Sequence, residues 1–225
     1  MQAFFTQLQY KPSRAGEMLL TSGSPVTKHP RTGEVVNAYA LGTGMPEQSP
    51  EGDRRLVLAD WMTGTSNPWF ASNVANRTWA HFMGRGIVEP VDDVRLTNPP
   101  TNPALLDALS RHFKDSGFDY RRLVKTILMS ATYQRSPDVN PTNERDEQNY
   151  SRYLFKQLEA EVMLDAISQV TSRMEKFEGV PAGSRAIELW DSSVPNYFLK
   201  VFGRPVRATA CECERVSEPT ISQVL

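Results

Sequence analysis

The sequence predicts a mainly α protein: an irregular helical domain with long loops rich in proline and glycine, preceded by an extended N-terminal arm with little β structure. Three observations support this fold class. Apolar residues recur at helical spacing in several segments after residue 53. The 225 residues include 16 prolines and 13 glycines, which punctuate those segments. Residues 21–52 hold too few apolar side chains for a core of their own.

Residues 1–52 are therefore predicted to be an extended arm, the end of a preceding region. Within the arm, a short helix is expected from Ala15 to Leu20, and a turn at residues 31–33 leads into extended residues 34–39. Residues 53–225 form the predicted helical domain. We expect this domain to be truncated at its C-terminus, because its last residues, EPTISQVL, look like the start of a helix without a stop signal.

The first two helices of the domain are predicted from their end signals. One begins at Asp53 and closes at Gly64. The next begins with the sequence SNP, in which Ser66 or Asn67 is the N-cap and the proline occupies the first helical position. It ends at Gly84, the expected left-handed residue after a helix.

Three more helices follow from the same kinds of signal. The third starts from Asn102 or the threonine before it and ends at Gly117, and the fourth is capped by Asp119. The fifth spans roughly residues 157–173, where apolar residues recur at spacings of three and four. Residues 134–150 are polar and broken by proline, so they are predicted to form a loop.

Composition excludes some classes of function. The chain has 25 basic and 26 acidic residues, a net charge of −1, so no global field attracts nucleic acid or an anionic membrane. Arg204, Arg207 and Arg215 form a basic cluster, but without interleaved aromatic residues they do not predict a nucleic-acid groove. Arg215 is nevertheless kept as a candidate binding residue. No apolar run approaches the roughly 18–20 residues that span a bilayer, and no secretory signal is visible.

His81 and Arg77 lie four residues apart on the second predicted helix, so their side chains point to the same surface. One hypothesis makes His81 a general base or a metal ligand, with Arg77 binding an anion. The other packs His81 beside the tryptophans and pairs Arg77 with a carboxylate in the following loop. The sequence favours this structural hypothesis, because one imidazole without further ligands defines no site.

Asp92 and Asp93 follow that helix and stand between Arg85 and Arg95. Paired carboxylates serve general acid–base catalysis or bind hard cations, so both are candidate catalytic residues and the two arginines are candidate binding residues. However, adjacent residues of an extended loop usually point in opposite directions, and arginines form bidentate pairs with carboxylates. The favoured interpretation is a salt-bridge cluster that fixes the loop to the helix end.

Cys211 and Cys213 belong to the unusual motif CECER. They are candidate ligands of a soft metal, but a closed tetrahedral site needs four ligands and the sequence has no second cysteine pair. A disulfide between them would be strained and would favour a redox role. If the segment is a strand, both cysteines face one side as small buried apolar residues, which is the favoured interpretation.

Several stretches together resemble one family. They read, in order, NPWFASNVANRTWAHFMGRGIVEPVDDVR, NPPTNPALLDALSRHF, SATYQRS and RATACECER. Their order and spacing resemble, over nearly all of residues 53–225, the planctomycete-specific uncharacterised domain usually called PSD-one.

The resemblance implies a setting more than a reaction. Proteins of this family look like large, exported, multi-domain chains that often carry a cytochrome c-like module upstream, so a periplasmic or cell-surface location is expected. The chain has no Cys-x-x-Cys-His of its own, so any haem would belong to an upstream module, and no cofactor is expected in this chain. An exported location would make oxidation of Cys211 and Cys213 easier.

Two functions remain open from the sequence. The first is a helical accessory or interaction module of a larger exported protein, which contacts other domains of the same polypeptide, another protein or a glycan. The alternative is a metal-assisted hydrolase or a redox-linked enzyme that acts on polysaccharide. It would use His81, Asp92, Asp93 and the two cysteines.

Overall fold

The computed structural model describes residues 2–14, 16–22, 26–40 and 53–205. Of these residues, 37% are helical and 9% lie in strands, which confirms a mainly α protein with little β structure. The chain divides into two compact units, Met1–Leu154 and Phe155–Leu225. The predicted boundary at residue 52 stays a prediction.

The N-terminal residues form two short antiparallel hairpins. A 3-10 turn at Gln2–Phe4 precedes strand β1 (Leu8–Ser13), which pairs with β2 (Gly16–Thr21). The helix predicted at residues 15–20 is therefore wrong. Gly16 has a φ of +118°, which an α-helix does not accommodate, and it turns the chain back on β1.

The second hairpin contains the turn that the sequence predicted. Strand β3 (Thr27–Lys28) pairs with β4 (Val35–Val36). Of the described residues 34–39, which were predicted to be extended, only Val35–Val36 form a regular strand. The imidazole Nδ1 of His29 accepts the backbone N–H of Arg31 and Thr32 across the turn, at 3.3 and 3.2 Å.

Helix α1 (Arg54–Thr63) begins where the sequence predicted. The side chain of Asp53 caps it by accepting the backbone N–H of Arg55. Leu58 on α1 packs with apolar residues of the N-terminal segment in a small buried cluster, whose other members are Ala3, Phe4 and Ala38. The N-terminal segment therefore contributes buried apolar residues to the packing around α1.

Three helices make the main core of the first unit: α2 (Phe70–Met83), α3 (Pro103–Asp115) and α4 (Tyr120–Leu128). Three of their predicted end signals are confirmed, whereas α3 ends at Asp115, just before the predicted Gly117. Asn102 and Asp119 cap α3 and α4 through their side chains, and Gly84 ends α2 in the left-handed conformation with a φ of 79°. The buried residues of this core are Ala71, Ala75, Trp79, Met83, Ile87, Val88, Leu106, Leu109, Phe113, Leu123, Ile127 and Tyr150.

The start of α2 differs slightly from the prediction. The helix begins at Phe70, two residues later than Pro68, and Trp69 precedes it in a helical conformation. The carboxamide oxygen of Asn67 accepts the backbone N–H groups of Trp69 and Phe70 at 2.8 and 3.0 Å. Asn67 therefore satisfies the N–H groups that the helix start would leave unpaired.

The second unit contains α5 (Ala160–Thr171), a 3-10 turn at Ala186–Glu188 and α6 (Tyr197–Val201). Helix α5 lies inside the predicted range 157–173 but starts three residues later. The buried apolar residues of the unit form a separate cluster: Ala160, Leu164, Phe177, Ala186, Val194 and Leu199. Within the described ranges, no helix has the length and apolar character needed to cross a membrane.

Candidate functional site in the loop between α2 and α3

The segment that links α2 to α3, residues 84–102, is named here the α2–α3 loop. Helix α2 directs one face into the core, where Ala75, Trp79 and Met83 are buried. Asn76 lies beside them on the same helix and is only 1% exposed. A buried carboxamide costs free energy unless it is hydrogen-bonded, so its partners show what it is there to hold.

All the partners of the Asn76 side chain are backbone groups of the α2–α3 loop. Its Oδ1 accepts the N–H of Val88 at 2.9 Å, and its Nδ2 donates to the carbonyl of Val88 at 3.0 Å and to that of Val91 at 3.2 Å. One side chain therefore replaces the partners that a strand or helix would give this stretch of backbone.

Two further side chains, those of Thr101 and Asn98, hold the loop at other points. The N–H and the hydroxyl of Thr101 both donate to the carbonyl of Ile87, at 2.8 and 3.1 Å. Asn98 donates to the carbonyls of Glu89 and Asp93 at 3.2 and 2.9 Å. These bonds connect the beginning, the middle and the end of the loop.

Tyr150 reaches the loop from a distant part of the sequence. Its hydroxyl donates to the carbonyl of Gly86 at 2.8 Å, and its ring meets that of Trp79 edge-on with centroids 5.1 Å apart. Burial raises the pKa of the Tyr150 hydroxyl. A Cβ added at Gly86 would lie 2.3 Å from the carbonyl oxygen of Val88, so only glycine fits the turn that Tyr150 contacts.

The two aspartates of the loop form separate ion pairs with two arginines. Arg77 on α2 forms an ion pair with Asp92, so it connects the helix to the following loop as the structural hypothesis predicted. Arg95 donates to both carboxylate oxygens of Asp93, at 2.5 and 2.6 Å, and this bonding lowers the pKa of Asp93. The two aspartates thus face different arginines.

Arg85 does not take the role predicted for it. It lies 4.0 Å from the carboxylate of Glu147, and within the described residues the two loop aspartates pair with other arginines. The helix-to-loop connection is made instead by Arg77 on α2, eight residues before Arg85, and Arg95 pairs within the loop itself. The interpretation that Arg85 and Arg95 fix the loop to the helix end is therefore wrong in its choice of arginines.

Residues 54–225 match the family model PSD1, whose description is "protein of unknown function (DUF1553)". The chain belongs to the PSD1 family. The predicted resemblance is confirmed, and the matched region begins at the first residue of α1. No curated protein and no solved structure matched the chain.

His81 of this PSD1 chain lies on the exposed surface of α2, where its ring meets that of Phe82 edge-on at 4.9 Å. It lines a shallow groove beside α4, whereas Arg77 pairs with Asp92 in the loop. The catalytic roles suggested for His81, Asp92 and Asp93 stay predictions, as do the binding roles suggested for Arg77, Arg85 and Arg95.

The metal, redox and haem roles stay predictions for this PSD1 chain. Over residues 2–14, 16–22, 26–40 and 53–205, no group of three or more His, Cys, Asp or Glu is arranged to hold a metal ion. Cys211, Cys213 and Arg215 lie outside the described residues, so their predicted metal and binding roles stay predictions. The same holds for a haem in an upstream module.

Sequence reasoning missed the residues that hold the loop. Asn76 did carry a signal, because it lies three and seven residues before Trp79 and Met83 and so shares their buried face. A polar residue on such a face needs a partner. Tyr150 carried no comparable signal, since it lies more than sixty residues from Gly86 in sequence.

The tip of the loop, residues 94–97, faces solvent. Val94 and Leu96 are exposed apolar side chains there, and Leu96 is fully exposed. Val94 lies between the bonded residues Asp93 and Arg95, and Leu96 follows them directly. The side chain of Asn98, just beyond Leu96, donates back to the carbonyl of Asp93. The loop therefore presents two apolar side chains on a backbone that is fixed from both sides.

Proposed function

We propose that this chain is a helical interaction module of a larger exported, multi-domain protein, and that it contacts another domain of the same polypeptide through the tip of the α2–α3 loop. The observation that carries the proposal is the fully exposed Leu96 on a backbone held by Asn98 and by the pair of Asp93 and Arg95. An isolated exposed leucine is common, but one on a preorganised loop is less so.

Preorganisation matters because ordering a flexible loop on binding costs free energy. A loop already held by hydrogen bonds avoids most of that cost, so two small apolar side chains contribute more to affinity. The charged residues of the loop support the proposal too. The carboxylates of Asp92 and Asp93 each contact a different arginine, which suits a structural role better than joint action on one substrate atom.

The test places a photo-crosslinking amino acid at position 96 of the full-length protein. We expect crosslinks to a defined surface of another domain of the same polypeptide. The matched control carries the crosslinker at position 170, since Val170 is also an exposed apolar residue. The proposal would be contradicted by crosslinks in equal yield from both positions, or by no crosslink from position 96. A crosslink from position 96 to carbohydrate alone would contradict it too.

A second measurement tests whether the leucine contributes to binding without supporting the fold. Leu96→Asp should leave the free energy of unfolding within about 0.5 kcal/mol of the wild type, because the side chain contacts solvent. It should weaken the interdomain contact at least tenfold, measured by mixing separately purified domains once each is shown to fold. An unchanged affinity would show that the loop tip is not the interface.

A further inference from the structure

Helix α4 has a second face that the core does not use. Leu123 and Ile127 point into the core and are buried. Val124 and Leu128, each one residue further on, are only half-buried and line a groove of about 660 Å³ on the protein surface. The groove, named here the α4 groove, follows the helix for roughly 13 Å, the length of nine helical residues.

The floor of the α4 groove is apolar on both sides. Phe82 of α2 lines it together with Val124 and Leu128, and so does Met129, the residue after the end of α4. Met129 is exposed, and its flexible thioether can adapt to a partner of irregular shape. A concave apolar strip of this kind is the surface that amphipathic helices bind in many protein complexes.

The charge of the α4 groove has one sign. Arg121 and Lys125 stand one turn apart along it, both exposed, and none of its described lining residues is an aspartate or a glutamate. No ion pair of either side chain is found within the described residues. The nearest carboxylate on the helix, that of Asp119, accepts the backbone N–H of Arg122 at the helix start.

We propose that the α4 groove binds an acidic amphipathic helix of a partner protein, one with a row of leucine-like side chains bordered by Glu or Asp. Such a helix would bury its apolar row against Phe82 and Leu128 and place its carboxylates beside Arg121 and Lys125. A purely apolar partner would desolvate those two cations without pairing them, which is costly. An anionic polysaccharide would satisfy the charges and leave the apolar floor uncovered.

The groove shares no residue with the loop tip, so this inference and the proposed function can fail independently. The probe is a fluorescein-labelled synthetic peptide of four helical turns, with leucines at positions i, i+3, i+4 and i+7 and glutamates beside them. Its matched control replaces each glutamate with lysine. Fluorescence anisotropy against the full chain measures both affinities, at low and at physiological salt.

We expect the glutamate peptide to bind saturably and at least tenfold more tightly than the lysine peptide, with an affinity that falls as salt rises. The double variant Arg121→Glu/Lys125→Glu should reverse this preference. The control variant Lys28→Glu/Arg31→Glu makes the same change of charge on the hairpin of β3 and β4, and it should not reverse the preference. Met129→Gln should weaken binding several-fold at unchanged charge.

Three results would overturn the inference. One is the absence of saturable binding by the glutamate peptide. Another is equal affinity for the double variant and the wild type. The third is full displacement of the peptide by a heparin fragment together with no effect of Met129→Gln, which would indicate a polysaccharide site.

Discussion

The α2–α3 loop and the irregular segment between α5 and α6, residues 172–196, are held by different chemistry. In the first unit, the neutral carboxamide of Asn76 donates two hydrogen bonds to the loop backbone and accepts one from it. In the second unit, charged side chains do the equivalent work. Asp165 accepts the N–H groups of Ala186 and Ile187 at 2.7 and 3.1 Å, and Arg204 donates to backbone carbonyls.

The difference shows two solutions to one problem, which is to satisfy the backbone groups of an irregular segment with side chains from outside it. A carboxamide is complementary to the backbone without carrying charge, so its burial needs no counter-ion. A buried arginine needs one, and Arg204 has Glu161 on α5 at 3.7 Å. We therefore expect the charged arrangement to fail more severely than the neutral one when one residue is removed.

The largest effect should come from Arg204→Met. The side chains of Arg204 and Glu161 are only 9% and 13% exposed, so the substitution removes a buried cation beside a buried carboxylate and takes hydrogen bonds from two carbonyls. We expect a loss of about 3–4 kcal/mol in the free energy of unfolding, measured by denaturant titration. Hydrogen exchange should rise most in residues 191–194.

The control for that variant is Arg185→Met in the same unit. Arg185 pairs with Glu188 on the surface at 3.2 Å, so its loss should cost less than about 1 kcal/mol. Equal losses for the two arginine variants would show that burial does not decide the strength of the pair.

Asn76→Ala should have the next largest effect. It leaves the N–H of Val88 and two carbonyls of the loop without their partner, and each unsatisfied buried group costs about 1 kcal/mol or more, so a loss of about 3 kcal/mol is expected. Asn73→Ala on the same helix is the control, since no hydrogen bond of its carboxamide is found within the described residues. If Asn76→Ala lowers the free energy of unfolding no more than Asn73→Ala does, the hydrogen bonds of Asn76 do not stabilise the loop.

How much of this the sequence could predict depends on where each partner lies. Helix starts were predictable at Asp53, Asn102 and Asp119, because each cap contacts backbone within three residues of itself. The pair of Asp93 and Arg95 was predictable for the same reason. Local patterns contain these signals in full.

Partners that are distant in sequence were not predictable. Arg85 stands near two aspartates in sequence but lies closest to Glu147, and no spacing rule identifies that residue. Strand β2 of the first hairpin was mistaken for a helix. Neither strand of that hairpin has a buried face, so neither shows the alternation of apolar and polar residues by which strands are recognised. Contacts formed by the fold as a whole decide such cases.

The smallest effect, and the only pH-dependent one, concerns Asp146. Ser151 contributes most to lowering its pKa, followed by the backbone N–H of Asn149, and the carboxylate thereby fixes the turn that presents Tyr150. A depressed folded pKa stabilises the fold above the ordinary aspartate pKa of about 4, and this stabilisation is lost as the pH falls through the folded value. The carboxylate should therefore stabilise the neutral protein and lose that effect in acid.

Asp146→Asn should be less stable than the wild type at pH 7 by roughly 1 kcal/mol. The gap should begin to narrow as the pH falls below about 4, and it should close only when the pH falls through the depressed folded pKa. Urea titrations at pH 7 and pH 3 measure the difference. If the gap between variant and wild type is the same at both pH values, the charge of Asp146 does not stabilise the turn.

The contact between Thr101 and Ile87 has a consequence for how the loop can change. Because both donors of Thr101 bind the carbonyl of Ile87, the base of the loop is closed and the start of α3 at Pro103 is positioned beside the end of α2. Closing a longer loop on the same base costs only about 0.6 kcal/mol for each doubling of its length. The fold should thus tolerate insertions between residues 94 and 97, while such an insertion would displace Leu96 and so disrupt the contact proposed for this tip.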